Sequence, residues 1–204
     1  MKKTFIIIVL GFFSIIYAGS FYKDSILKKI DNKYGKFTTN RFLLLKEKIE
    51  SVKNKSEFEK ISTINDFFNK VKYAPDIKVW NEKDYWATPY EFLAKDKGDS
   101  EDFVFAKYFT LVEELNISED KLYFTYVKSL EKKVSYMVLT YYETKKSVPI
   151  ILDSVNYKAL PATKRPDIVP IYSFNAKNAG VGGDKAGQSL KFRNLIRDIK
   201  GEKI

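Results

Sequence analysis

The chain contains no cysteine and no histidine. Without cysteine there is no disulfide, no thiolate nucleophile and no lipid-modified cysteine. Without histidine the usual general base near neutral pH is missing. Conventional Ser-His-Asp, Cys-His and His/Cys zinc sites are therefore excluded. Arginine is scarce as well: only Arg41, Arg165, Arg193 and Arg197 stand among 36 basic residues. Bidentate reading of phosphates and base edges favours arginine, so the net charge of +10 is not read as a nucleic-acid footprint. The lysines alternate with acids, as in Leu45-Lys46-Glu47-Lys48-Ile49-Glu50, which is the pattern of solvated helix faces. What the chain does have is apolar bulk. Its 204 residues are 45% hydrophobic and 16% aromatic, enough for a core without disulfides.

Lys2 and Lys3 precede a mostly apolar run from Phe5 to Ala18, and Ala18-Gly19-Ser20 offers small residues for cleavage after Ser20. That order is that of a secretory signal, and the run is short for a spanning helix, which needs about 20 residues. The expectation is a signal over residues 1–20 and one domain over 21–204, lying outside the cytoplasm. A retained membrane anchor is the alternative.

Phe42, Leu45, Ile49 and Val52 recur at helical spacing and predict a helix over about 40–54. Ser56 and Glu59 form a capping-box pattern ahead of Phe58, Ile61, Ile64, Phe67, Phe68 and Val71. Residues 73–85 read as an irregular connection. Thr88-Pro89-Tyr90-Glu91 starts another helix. After Gly98-Asp99 a segment over 100–115, apolar almost all round, predicts a buried central helix. The second half turns to strand chemistry over 122–127, 134–142, 148–152 and 168–174, with hairpin-like gaps between the first three. A glycine-rich loop over 175–188 and a last amphipathic helix from about 189 complete the chain. Helices first and an antiparallel sheet second give an α+β domain.

The central helix opens on Gly98-Asp99-Ser100-Glu101-Asp102, where the helix dipole favours an anionic nucleophile. The strands supply Tyr136 and Asp153. A helix-start nucleophile facing groups on neighbouring strands is the papain and transglutaminase arrangement. Asn65-Asp66-Phe67-Phe68-Asn69, Asp84-Tyr85-Trp86-Ala87-Thr88-Pro89, Gly98-Asp99-Ser100-Glu101-Asp102, Ala106-Lys107-Tyr108-Phe109-Thr110-Leu111 and Arg165-Pro166-Asp167 together resemble the bacterial transglutaminase-like cysteine peptidases, the LapG-like periplasmic proteases. The resemblance spans about residues 40–175. It implies a papain/transglutaminase-like fold, with a buried nucleophile helix packed on an antiparallel sheet, and a periplasmic location. It also implies calcium dependence. The partners it implies are a large surface adhesin, cleaved near its amino-terminal retention module, and the periplasmic domain of an inner-membrane cyclic-di-GMP receptor. Both belong to biofilm and adhesion control.

Carried over residue by residue, the family's cysteine falls on Ser100, its histidine on Tyr136 and its acid on Asp153. Its calcium-binding acids fall on Asp99, Glu101 and Asp102. Two of the three catalytic positions have thus changed. A serine hydroxyl carries no appreciable alkoxide at neutral pH without a base, and a neutral tyrosine, with a pKa of about 10, is a poor one. The expected state is a non-catalytic pseudo-peptidase in which Tyr136 hydrogen-bonds to Asp153 and Ser100. Two other readings stand beside it: a peptidase using Ser100 with an unrecognised base such as Asp153 or a lysine, and a structural envelope protein.

Overall fold

The computed structural model describes residues 23–178 and 188–204. The expected signal over 1–20 and most of the expected glycine-rich loop lie outside the described residues. Among the described residues no helix is long and apolar enough to cross a membrane.

Three helices lead: α1 (Asp24–Tyr34), α2 (Lys36–Val52) and α3 (Glu57–Phe68). α1 was not expected from the sequence; it buries Ile26 and Ile30, with Leu27 and Tyr34 partly covered beside them. Gly35 makes the sharp turn into α2 at φ 80°, a conformation that costs glycine little. The Ser56–Glu59 capping box forms as expected at the start of α3. The irregular connection is shaped by β1 (Lys72–Tyr73) and the one-turn helix α4 (Asp76–Val79). Next come α5 (Pro89–Lys95), opened by the Thr88–Glu91 capping box, β2 (Lys97–Gly98) and the central helix α6 (Ser100–Phe109). β1 and β2 pair in parallel through Lys72–Lys97 and Tyr73–Gly98. This short pairing sets the chain before α4 against the start of α6.

The helix expected over 100–115 changes character at its end. Thr110–Glu114 forms a wider π-helical turn, and Thr110 Oγ1 donates to the carbonyl of Ala106 at 2.8 Å. Such back-bonding competes with the regular ladder.

β3 (Leu122–Ser129), β4 (Ser135–Tyr141), β5 (Ile150–Leu152), β6 (Leu160–Pro161) and β7 (Ile168–Phe174) form one antiparallel sheet in the order β6-β5-β4-β3-β7. α7 (Gln188–Lys200) packs back on the domain through Phe192 and Leu195. The core lies between helices and sheet. Phe103 and Phe105 of α6 are enclosed by Phe92, Phe124 and Phe192. A smaller cluster of Val127, Tyr136, Val138 and Ile151 covers the other face of the sheet.

Candidate functional site at the start of the central helix

Asp99 caps α6: its Oδ1 accepts the Glu101 N–H at 3.2 Å. Ser100 is the first helical residue and is 3% exposed. Its hydroxyl donates to Glu101 Oε2 at 2.5 Å and accepts the Met137 N–H at 3.1 Å. Tyr126 donates to the other oxygen of Glu101 at 3.2 Å. The hydroxyl thus sits between the helix and β4, beside a cleft of about 370 Å³. Trp86, Tyr73, Tyr126, Tyr136 and Lys191 line this cleft together with the acids. Lys191 of α7 pairs with Asp84 and lies over the Trp86 ring, so the last helix closes one side of it.

Tyr136 donates its hydroxyl to Asp153 Oδ2 at 3.0 Å. The expected contact with Ser100 is not made: Ser100 turns to Glu101 instead. Asp153 is fully buried just beyond β5, and Arg165, also buried, donates to the same oxygen at 2.7 Å. The other oxygen, Oδ1, takes the Val155 N–H at 2.7 Å. Arg165 continues in a two-point contact to Asp167, at 2.8 and 2.7 Å. Burial and the Asp153 carboxylate both raise the Tyr136 pKa, opposed by Arg165. The phenol is therefore a neutral donor, and the acid that would orient a histidine is engaged by a tyrosine and an arginine.

The acids fall into two groups. Asp99 and Asp102 gather with Asp76, one carboxylate oxygen of each lying within 4.8 Å of the others. Glu101 points instead at Ser100 and Tyr126. Asp76, from the start of α4, accepts the Tyr85 N–H at 2.7 Å, and Asp102 accepts the Ala87 N–H at 2.9 Å. Asp76 Oδ1 and Asp102 Oδ2 are buried without a hydrogen-bond partner. Burial first, then the neighbouring acids Glu101, Asp102 and Asp76, push Asp99 up to about 9. Burial likewise drives Asp102 well above the usual carboxylate range. Desolvated like charges of this kind are unfavourable unless a cation or protons compensate them. The donor set fits calcium, which takes six to eight oxygens at about 2.4 Å. Two oxygens on one such ion lie at most about 4.8 Å apart, the spread observed here.

Two groups of residues behind the site escaped the sequence reading in their roles. Lys107 is fully buried in α6 and donates to Asn65 Oδ1 at 2.9 Å, Asn69 Oδ1 at 2.8 Å and the Asp153 carbonyl at 3.2 Å. Burial pushes its pKa down to about 7 against the pull of Asp153 and Asp66. Asn69 also donates to the Asp153 carbonyl, at 2.8 Å. The signal was a lysine in an otherwise apolar helix and two asparagines one turn apart, Asn65 in α3 and Asn69 just past its end. Arg165 stood within the Arg165-Pro166-Asp167 motif, but its contact with Asp153 was not foreseen, and Asp76 carried no signal because the acids it meets lie in another part of the chain.

Comparison with known proteins agrees with this geometry. The family model of the bacterial transglutaminase-like cysteine proteinases matches residues 43–166. The structure of Legionella pneumophila LapG is 36% identical over 86% of this chain and 96% of its own, with a TM-score of 0.71. Its calcium-bound form is 36% identical over 87% and 99% of the two chains, with a TM-score of 0.73. The EGTA-treated form gives 37% over 86% and 96%, also at 0.73. Comparison with curated protein sequences returns no match. The fold is thus that of LapG, a transglutaminase-like fold with Ser100 at the head of its central helix, and the chain belongs to the family of bacterial transglutaminase-like cysteine proteinases.

Proposed function

We infer that this chain is a non-catalytic periplasmic member of its family. It binds, without cutting, the surface adhesin or the cyclic-di-GMP-linked membrane receptor that the family resemblance implies. One observation carries the reading. The Tyr136 hydroxyl donates to Asp153 at 3.0 Å, and Arg165 occupies the same oxygen. A base at position 136 would have to accept the nucleophile's proton, whereas this residue gives one. Loss of one member of such a triad already costs several orders of magnitude in rate.

The cleft beside Ser100, about 370 Å³ with an acid-rich and aromatic lining, has room for a partner segment. Calcium belongs to this reading, supported by the calcium-bound LapG relative and the carboxylates at the head of α6. When bound, the ion supplies compensating positive charge and orders the chain around it. The apolar run after Lys2 and Lys3 supports export to the periplasm.

The test is to incubate purified protein, with and without calcium, with adhesin amino-terminal fragments and with the receptor's periplasmic domain. Saturable binding with intact fragments is expected. Specific cleavage that Ser100→Ala abolishes would overturn the reading. A second reading, a hydrolase using Ser100, is favoured by the 2.5 Å hydrogen bond from Ser100 to Glu101. It would be upheld if Glu101→Gln removed that cleavage. Asp153 is fully buried and held by Tyr136, Arg165 and the Val155 N–H, whereas the Ser100 hydroxyl bonds to Glu101.

A further inference from the structure

We propose that a second cavity, at the end of α6 away from Ser100, binds a small hydrophobic organic cation, its apolar body between α6 and α7 and its ammonium group on Glu113 and Glu119. The cavity measures about 460 Å³, within the range of small-molecule sites. It shares no lining residue with the cleft beside Ser100, so it stands independently of the non-catalytic reading.

The apolar walls follow from the stripe of α7. Phe192, Ile196 and Ile199 recur at helical spacing and line the cavity. Phe192 is buried and lies nearly parallel to the Phe109 ring, at a separation of 6.4 Å. Ile196 and Ile199 are only half-covered. The last helix therefore leaves apolar surface open towards Phe109 and Val112, and a ligand's apolar body gains by covering it.

The polar end is built on other elements. Glu113 belongs to the π-helical turn Thr110–Glu114, a kind of turn that recurs at functional sites. Glu119 opens the one-turn helix Glu119–Lys121, and the Tyr108 hydroxyl steadies its carboxylate by donating to it at 3.2 Å. Glu113 is half-buried and makes no hydrogen bond or ion pair with the described residues. Lys23 and Lys200 also line the cavity, but both are exposed and neither pairs with Glu113 or Glu119. Burial first, then Glu119 and Glu114, raise the Glu113 pKa, as befits a carboxylate with no cation beside it. Such a group against apolar walls is completed by a cation that brings its own apolar surface. An anion would meet two carboxylates, and a bare metal ion would leave the walls uncovered.

Three probes with one apolar body test this: phenylbutylamine, phenylbutanol and phenylbutyrate, titrated into the unaltered protein by calorimetry at neutral pH. The amine should bind about tenfold more tightly than the alcohol, and the acid most weakly. Glu113→Gln should bring the amine to the affinity of the alcohol and leave the alcohol unchanged. Ile196→Trp, which fills the cavity, should weaken all three, with thermal unfolding to check that both variants fold. Nuclear Overhauser contacts from the phenyl protons to the methyl groups of Ile196 and Ile199 place the ligand without any variant. Equal affinity for amine and alcohol, an amine affinity unmoved by Glu113→Gln, or contacts only to methyl groups elsewhere would each overturn the proposal. So would the absence of both heat and methyl shifts with every probe at millimolar concentration. A dimer in solution that Ile196→Glu disperses, and that the amine leaves intact, would give the cavity to a second copy of the chain and overturn it as well.

Discussion

Tyr136 shows how the direction of one hydrogen bond decides chemistry. A neutral phenol has a proton to give and Asp153 has lone pairs to receive it, so the two satisfy each other inside the protein. Replacing Tyr136 by Phe should lower stability by about 1 kcal/mol, read as a fall in melting temperature. Arg165 stays on Asp153 in that variant and limits the loss. An unchanged melting temperature would show that the bond contributes nothing. Restoring both chemical groups, Ser100→Cys with Tyr136→His, is expected to give adhesin cleavage that neither single change gives. If the double variant stays inactive, the defect extends beyond these two groups. At this scale the sequence was informative about identity and less so about contact. That serine and tyrosine replace a thiol and an imidazole is plain from composition. That Ser100 would turn to its neighbour Glu101, and that Arg165 would meet Asp153, depends on how strand ends converge.

Among the elements, the head of α6 concentrates most of the design. The parallel pairing of β1 with β2 delivers Asp76 beside Asp99, and Gly98 leaves room for the Asp102 carboxylate. A Cβ at Gly98 would stand 2.4 Å from Asp102 Oδ2 and 2.6 Å from the Phe92 ring. Gly98→Ala should therefore cost about 1–3 kcal/mol through overpacking and, by displacing Asp102, weaken calcium binding as well. A variant with normal stability and normal calcium affinity would refute that crowding. The capping boxes at Ser56 and Thr88 were readable because their side chains act within one turn of chain. The two-residue strands β1 and β2 were not, since pairings so short leave no periodic pattern. α6 itself was legible as a buried helix, but its π-helical end was not, because a widened turn keeps the same apolar composition.

For the molecule as a whole, the order of helices before sheet was open to sequence reasoning, and the docking of the ends was not. Thr88 Oγ1 donates to the Lys203 carbonyl at 2.7 Å, and Phe192 and Leu195 fill the core beside Phe105. Removing residues 188–204 should expose those rings, lower the melting temperature and raise binding of a hydrophobic dye. No change in either would mean that α7 is dispensable. pH dependence follows from Lys107. Its folded-state pKa of about 7 lies below the value of 10.5 for a free lysine. Between these values the unfolded chain binds more protons, so the contribution of Lys107 to stability rises with pH across that window and is flat below it. The stability difference between the unaltered protein and Lys107→Met should move in favour of the unaltered protein from pH 7 to 10. A pH-independent difference would argue against the shift.

The enclosure of Lys107 also makes it a clock. Its amine is sealed from solvent while most other lysines stand at the surface. An acylating reagent should modify those lysines quickly and Lys107 only when α3, α6 and β5 separate. The slow labelling of that single amine would therefore count openings of the whole fold one molecule at a time, and anything that holds the domain shut should slow it.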